Sequence, residues 1–160
     1  RLGSDFEVSL LDGKTADDLD AALAQLRTAG ERGQAVGLYP PEDSEFVLLS
    51  RPPGTALPVA VPSDRDPSWQ ALDVVLVDHT IVQPLLASQS LHAEDAISYT
   101  RDAHDAVAQV RSGAADLAVL VNPTRVDQVA AVALAGERMP EKSTYFYPKA
   151  PTGLVFRPLE

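Results

Sequence analysis

The chain has 160 residues, with 13 Lys and Arg against 23 Asp and Glu, 45% hydrophobic residues, 6% aromatics and no cysteine. That length suits one domain able to bury its own core, and the apolar fraction excludes a wholly disordered chain. A formal charge of -10 argues against nucleic acid or an anionic membrane as partners, since both need a positive surface. Without cysteine there is no disulfide scaffold, thiolate zinc site or thiol nucleophile.

No run of about 18 apolar residues exists to span a bilayer. The opening Arg1-Leu2-Gly3-Ser4-Asp5 has neither an initiator Met nor a basic-then-apolar signal pattern. It reads as the start of a piece cut from a longer protein, or of a processed one, with the cytoplasm as default compartment.

Residues 6–11 alternate apolar Phe6, Val8 and Leu10 with Glu7 and Ser9, the period of a strand. Thr15 and Asp18 match a capping box, in which hydroxyl and carboxylate each accept a free N–H at a helix start. Leu19, Ala22, Leu23 and Leu26 follow at helical spacing, with Gly30 as the expected stop. Two strands are expected at residues 35–39 and 45–50, giving β-α-β-β. Five of the 13 prolines (52, 53, 58, 62 and 67) then fall in a connector, because proline sustains neither ladder nor helix.

Asp66-Pro67 reads as an N-cap with proline in the first turn. Leu72, Val75, Leu76, His79 and Val82 share one helical face ending near Pro84, although the β-branched content keeps a buried strand as the alternative. A short strand at 96–99, a helix at 101–110 stopped by Gly113, and an apolar run at 115–121 follow. That run is continuous enough for a strand buried on both faces. Thr124 and Asp127 look like a second capping box, opening a helix that Gly136 stops. The tail suggests two more strands, at 144–147 and 153–156. The fold expected is α+β, with a mixed β-sheet, a βαββ first half and a βαβα-ββ second half joined by a Pro-rich connector and a central helix. It forms a single domain over 1–160, with regions 1–51 and 66–160 and the connector at 52–65.

Two places could carry chemistry. Residues 137–160 hold four bases and three acids, so the other 136 residues carry a net -11. Within that tail, Lys142, Ser143, Thr144, Tyr147 and Lys149 form a basic, hydroxyl-rich, aromatic island. Ammonium and hydroxyl donors suit a phosphate or carboxylate, and an aromatic face suits a planar ring. The plainer alternative is an edge strand whose aromatics fill the core while its lysines guard the edge. The second place is a pair of strand-to-helix turns, Tyr99-Thr100-Arg101-Asp102 and Asn122-Pro123-Thr124-Arg125. If their strands are parallel, Thr100, Arg101, Asn122, Thr124 and Arg125 face one crevice at the sheet edge, where open α/β sheets place ligands. Thr100 and Thr124 are also ordinary N-caps, whereas a cation at a helix N-terminus opposes the dipole and is harder to explain structurally.

Other motifs are missing. His79, His92 and His104 share no metal-ligand spacing, no phosphate-cradling glycine motif or nucleophile elbow occurs, and no metal or cofactor is required. Asp78 beside His79 is a poor acid–base couple, because helix neighbours point apart. The residues show no nucleophile–base pair, so this fragment alone is not expected to be catalytic.

The closing residues Met139-Pro140, Lys142-Ser143-Thr144-Tyr145-Phe146-Tyr147-Pro148-Lys149 and Thr152-Gly153-Leu154-Val155 resemble the signature of a bacterial and archaeal family, domain of unknown function 1015. Tyr99-Thr100-Arg101-Asp102, Asn122-Pro123-Thr124 with Val126 and Gln128-Val129, and Gly136-Glu137-Arg138 resemble it in the same order. The likeness runs over most of residues 66–160. It implies that longer members carry an N-terminal half with an Asp-Gly-His-His-Arg element similar to the nucleotide-binding ParB and sulfiredoxin group. This chain has no such element. It departs again near Pro84, where Asp78 stands in place of the family's histidine and His79 is displaced by one. The expected partners are an N-terminal half of the same protein or a second copy, together with a nucleotide or other phosphate-bearing small molecule. The expected role is a binding module contributing an anion site or completing one with that half. The alternative is a structural docking or dimerisation domain.

Overall fold

A computed structural model describes residues 5–12, 15–41 and 45–144 of the chain. The element order is β1 (Glu7–Asp12), α1 (Ala16–Arg32), β2 (Gln34–Tyr39), β3 (Glu45–Arg51), α2 (Pro67–Gln70), α3 (Asp73–Val77), a π-helical turn (Asp78–Val82), α4 (Gln83–Gln89), α5 (Ala93–Ala96), α6 (Ala103–Arg111), β4 (Ala118–Val121) and α7 (Val126–Leu134). The fold is α+β. Its sheet runs β1-β3-β2-β4, and every described ladder is antiparallel.

The two central strands explain the layering. Along β2, Val36 and Leu38 turn to one face while Ala35 and Tyr39 turn to the other. In β3, Val47 and Leu49 alternate likewise with Phe46 and Leu48. Helices must therefore cover both faces. One face packs Leu19, Ala22 and Leu26 of α1 with Val107 and Val110 of α6. The other packs Trp69, Leu72, Val75, Leu76, Ile81 and Val132 from α2, α3, the π-turn and α7. Gly37 leaves room for the Phe46 ring, which a side chain at that position would strike.

The first half follows its sequence closely. Thr15 caps α1 in a reciprocal box with Asp18, whose backbone N–H donates to Thr15 Oγ1 at 3.1 Å. The helix passes Gly30 and closes at Gly33, because Gly30 serves a packing contact described below. Of the β1 alternation, only Phe6 is buried; Val8 and Leu10 remain 50% and 62% exposed. Leu11, on the other face, packs against the α1 cluster.

The proline-rich connector leaves β3 and is held by Arg51, which is only 4% exposed. Its guanidinium donates to the Asp5, Thr55 and Ala56 carbonyls and to Gln34 Oε1. Asp66 then caps α2 through Ser68 N–H at 2.8 Å, with Pro67 in the first turn. The central segment is helical, as the 3–4 spacing indicates, and not a strand. It widens into a π-turn at Asp78, with Gln83 N–H donating to the Asp78 carbonyl. In a regular α-helix the Pro84 ring would crowd the Thr80 carbonyl, and an i→i+5 register relieves that clash. The extra residue rotates the following face, so Ile81 is buried while His79 and Val82 are half-buried.

The second half departs from expectation. The strand expected at 96–99 is absent: α5 ends at Ala96, and although Ile97 is extended, residues 97–99 join no described strand. Consequently no parallel pair occurs among the described residues, and β4 instead pairs antiparallel with β2, so the described sheet is antiparallel and not mixed. Among the described strands β4 is an edge; Ala118 and Leu120 are buried on one face and Val119 packs half-buried against the other core cluster, with Val121 at its end 45% exposed. Helices α6 and α7 end as expected at Gly113 and Gly136, with φ of 77° and 76°. Each closes a Schellman motif, the second through Gly136 N–H to Ala133 and Glu137 N–H to Val132. The tail strands at 144–147 and 153–156, Thr144 apart, lie outside the described residues. No described helix is long and apolar enough to cross a membrane.

Candidate functional site

The π-turn, α4 and α5 form an arm whose two helices bury no residue of their own. Between this arm and the β4 side of the sheet runs an open groove of about 1640 Å³. Its lining includes Arg101, Asn122, Thr124, Arg125, Lys142, Ser143 and Thr144. These residues come from three segments: the stretch before α6, the turn after β4, and the loop that follows α7.

One hydrogen bond organises the corner where the latter two segments meet. Thr124 Oγ1 donates to the Ser143 carbonyl at 2.8 Å. Arg125 and Lys142 are the sequence neighbours of that bonded pair, and both line the groove. Ser143 is fixed in turn, its hydroxyl donating to the Pro140 carbonyl at 2.6 Å. Lys142, exposed, sits in the left-handed region with φ of 59°, a conformation that a branched-free but non-glycine residue adopts at some cost. Outliers of this kind concentrate where structure holds a side chain for use.

Thr124 therefore does not act as the N-cap of α7. That position falls to Arg125, whose backbone N–H donates to Gln128 Oε1 at 2.9 Å. The Arg125 guanidinium lies against Asp127, with Nε to Oδ1 at 3.1 Å. Both side chains are exposed, and such a pair holds weakly enough to be exchanged for another anion. The same displacement occurs at α6, where Asp102 is the cap and Thr100 Oγ1 accepts from Asp102 N–H. Arg101 is exposed and also lines the groove. The two turns thus reach a common groove without the parallel strands expected to bring them there. Tyr147 and Lys149 lie outside the described residues.

Asn122 has a second task. Its amide donates to the Leu26 carbonyl of α1 at 3.3 Å, and it lies directly over Gly30, where a β-carbon would collide with it. It also bonds Asp73, a groove residue in the first turn of α3. Asp73 takes the Ala35 N–H as well, one residue past the Val36–Val121 end of the β2–β4 ladder. Asp73 is half-buried. Burial pushes its carboxyl from 3.8 up to about 6, against the opposing pulls of Asn122, Ala35 and Arg125. Sequence reasoning missed Asp73, because an acid opening a helix looks like dipole complementation. Only the register of the sheet reveals that its carboxylate continues a ladder.

A second cluster braces the groove. Arg65 lies 4.0 Å over the Trp69 ring, and the His79 ring meets Trp69 edge-on at 5.9 Å. Glu137 holds Arg65 at 2.6 Å and accepts the Asp66 N–H at 3.1 Å, which keeps the Glu137 carboxyl below its ordinary range. This network joins the connector to the end of α7. Its groups satisfy one another, and it is structural.

The groove is not uniformly basic. Asp73, Asp78, Asp95, Asp102, Asp116 and Glu141 also line it, and among the described residues its cations are Arg101, Arg125 and Lys142. Among the described residues no group of three or more His, Asp or Glu is placed to hold a metal ion. No family model, curated protein or solved structure matches the chain.

Proposed function

We propose that the chain is a binding module whose groove takes the anionic group of a phosphate-bearing, nucleotide-like ligand at the Thr124–Ser143 corner. The observation that carries this reading is the 2.8 Å Thr124–Ser143 bond, whose sequence neighbours are Arg125 and Lys142, on a chain of charge -10. Two cations next to one cross-segment bond, both lining a groove on an acidic chain, offer charge-assisted donors to an anion. Lys142, Arg125 and the Thr144 hydroxyl supply donors, the Ser143 hydroxyl being committed to the Pro140 carbonyl, and Arg101 lines the same groove. The role is binding and not catalysis. Lys149 and Tyr147 belong to the same reading by sequence. So do membership of the family domain of unknown function 1015, supported by the C-terminal motifs, and a cytoplasmic setting, supported by the lack of cysteine.

Titration with sulfate, inorganic phosphate and a nucleoside monophosphate tests the site. Each well-made charge-assisted bond contributes roughly 1.5–3 kcal/mol, so Lys142→Ala or Arg125→Ala weakens binding by about ten-fold or more. Undetectable binding by the unsubstituted chain, or affinity unchanged in both variants, rejects the reading.

A docking role is favoured by a different observation. Leu85, Leu91, Tyr99, Val121 and Val126 are between 45% and 82% exposed near or along the groove. The groove also exceeds the roughly 300–1,000 Å³ usual for small molecules. On this reading, sedimentation shows self-association, or an N-terminal half of the same protein binds, and anions have no effect on either.

A further inference from the structure

The groove follows the outer edge of β4. Leu72, Val75, Leu76 and Ile81 pack on one face of the sheet, and Val107 and Val110 of α6 on the other. The chain between them, residues 83–102, therefore passes around the sheet, and it does so at β4, because residues 97–101 and β4 line the same groove. Every residue from 117 to 121 borders that groove. Consecutive residues of a strand point to opposite faces, so only the edge of the strand, with its N–H and C=O groups, presents them all to one space. Among the described residues β2 alone pairs with β4, and no other backbone bond of a described residue reaches residues 117–121.

Charge along this edge has a direction. Asp116, exposed, stands just before β4 and borders the groove. Beyond the other end of the strand, the Thr124–Ser143 bond brings the loop of Lys142 to the turn of Arg125, and both cations are exposed. Apolar surface lies open in the same groove, with Leu91, Tyr99 and Val121 at 51%, 67% and 45% exposure. We propose that this groove takes one extended segment of a partner polypeptide as an added strand, antiparallel to β4. That segment carries an acidic residue at its N-terminal end, apolar residues at alternate positions and a basic residue at its C-terminal end. Antiparallel pairing sets its N-terminal end beside the C-terminal end of β4, so its acid meets Arg125 and Lys142 and its base meets Asp116. Main-chain bonds to the open edge supply affinity, and the apolar side chains and end charges supply selectivity. The connection that rounds this edge stands in the way of a second sheet, so the occupant is a single segment and not a second copy. This goes beyond anion binding, since the affinity comes from β4.

The probe is the peptide Glu-Val-Thr-Val-Thr-Val-Lys, blocked at both ends so that only side chains carry charge, titrated into the full chain. Binding should slow hydrogen exchange at the β4 amides that do not face β2. Alternate N–H groups of a strand point to opposite edges, so N-methylation of the valines or of the threonines removes the donors of one edge. At least one of those two peptides should fail to bind. Asp116→Lys should weaken the original peptide by about five-fold or more, and should favour by as much a peptide ending in Glu in place of Lys. Absence of binding, equal binding of both N-methylated peptides, or indifference to Asp116→Lys overturns the proposal. So does slow exchange at those β4 amides before any peptide is added, which would mean that the chain itself or a second copy already fills the edge. Failure of sulfate to bind rejects the anion site and leaves the strand site standing, so the two readings fail separately.

Discussion

The Thr124 hydroxyl donates to the carbonyl of Ser143, 19 positions later, at 2.8 Å. The donor belongs to the turn between β4 and α7 and the acceptor to the loop after α7, so a single bond closes the ends of a helical excursion. Thr124→Val keeps shape and removes the donor, leaving the partly buried Ser143 carbonyl without this partner. It should cost about 0.5–1.5 kcal/mol in urea unfolding and weaken sulfate binding through displacement of Lys142. Thr124→Ser should restore both.

Lys142 offers a separation of stability from binding. Its φ of 59° places it in the left-handed region, which costs an L-residue with a β-carbon about 1–2 kcal/mol. Lys142→Gly should therefore stabilise the fold by up to about 1 kcal/mol, the gain reduced by glycine's freedom in the unfolded chain. The same variant should lose sulfate affinity by about ten-fold or more. Stabilisation with full binding would mean that the ammonium does not touch the ligand.

Gly30 lies inside α1, where alanine is ordinarily about 1 kcal/mol better than glycine. Here the added β-carbon would strike the Asn122 side chain, which is tied to the Leu26 carbonyl. Gly30→Ala should destabilise, by about 1–3 kcal/mol, reversing the helix-propensity trend. Asn122→Ala removes the obstacle, so the double variant should be more stable than the sum of the two single effects predicts. Chemical unfolding of the four proteins measures that coupling.

Arg51 tests the connector. With 4% exposure and donors to Gln34 and three backbone carbonyls, it holds residues 52–56 against the sheet. Its positive form is disfavoured by burial, partly offset by Asp5, so the hydrogen bonds must carry it. Arg51→Met should cost about 3 kcal/mol or more, since several buried acceptors lose their donor. Arg51→Lys should recover little, because an ammonium cannot span a fork of divergent carbonyls. Thermal unfolding of the two variants distinguishes them.

What could be read from the sequence, and what could not, follows from the range of each interaction. The Thr15–Asp18 box, the Asp66 cap, Gly113 and Gly136 involve partners only a few positions apart, and each was legible. The strand expected at 96–99 was not, because Ile97 does adopt extended backbone but finds no ladder, and ladder partners are non-local. The second capping box slipped by one residue because Thr124 found a better use with Ser143, far along the chain. Arg101, Asn122, Thr124, Arg125 and Lys142 border one groove although the parallel strands invoked to gather them do not occur among the described residues. Asp73 left no local trace, since its importance comes from the end of a strand pairing and a helix elsewhere in the chain.

Asp73 also governs how stability depends on pH. Its folded-state carboxyl, at about 6, lies above the ordinary 3.8. Below the lower value the group is protonated both folded and unfolded and contributes nothing. As pH rises through that window the unfolded chain releases the proton first, so stability falls, and the loss is complete above about 6. A displacement of about two units corresponds to roughly 3 kcal/mol. Asp73→Asn cannot ionise, so relative to the unsubstituted chain it should gain about 1–3 kcal/mol at pH near 8 and almost nothing at pH near 4. Comparing the two proteins at each pH cancels the opposite tendencies of Asp127 and Glu137, whose carboxyls are held below their ordinary values by Arg125 and Arg65. Urea unfolding at both pH values measures the difference, and an equal gain at both would show that folding leaves the Asp73 carboxyl undisplaced.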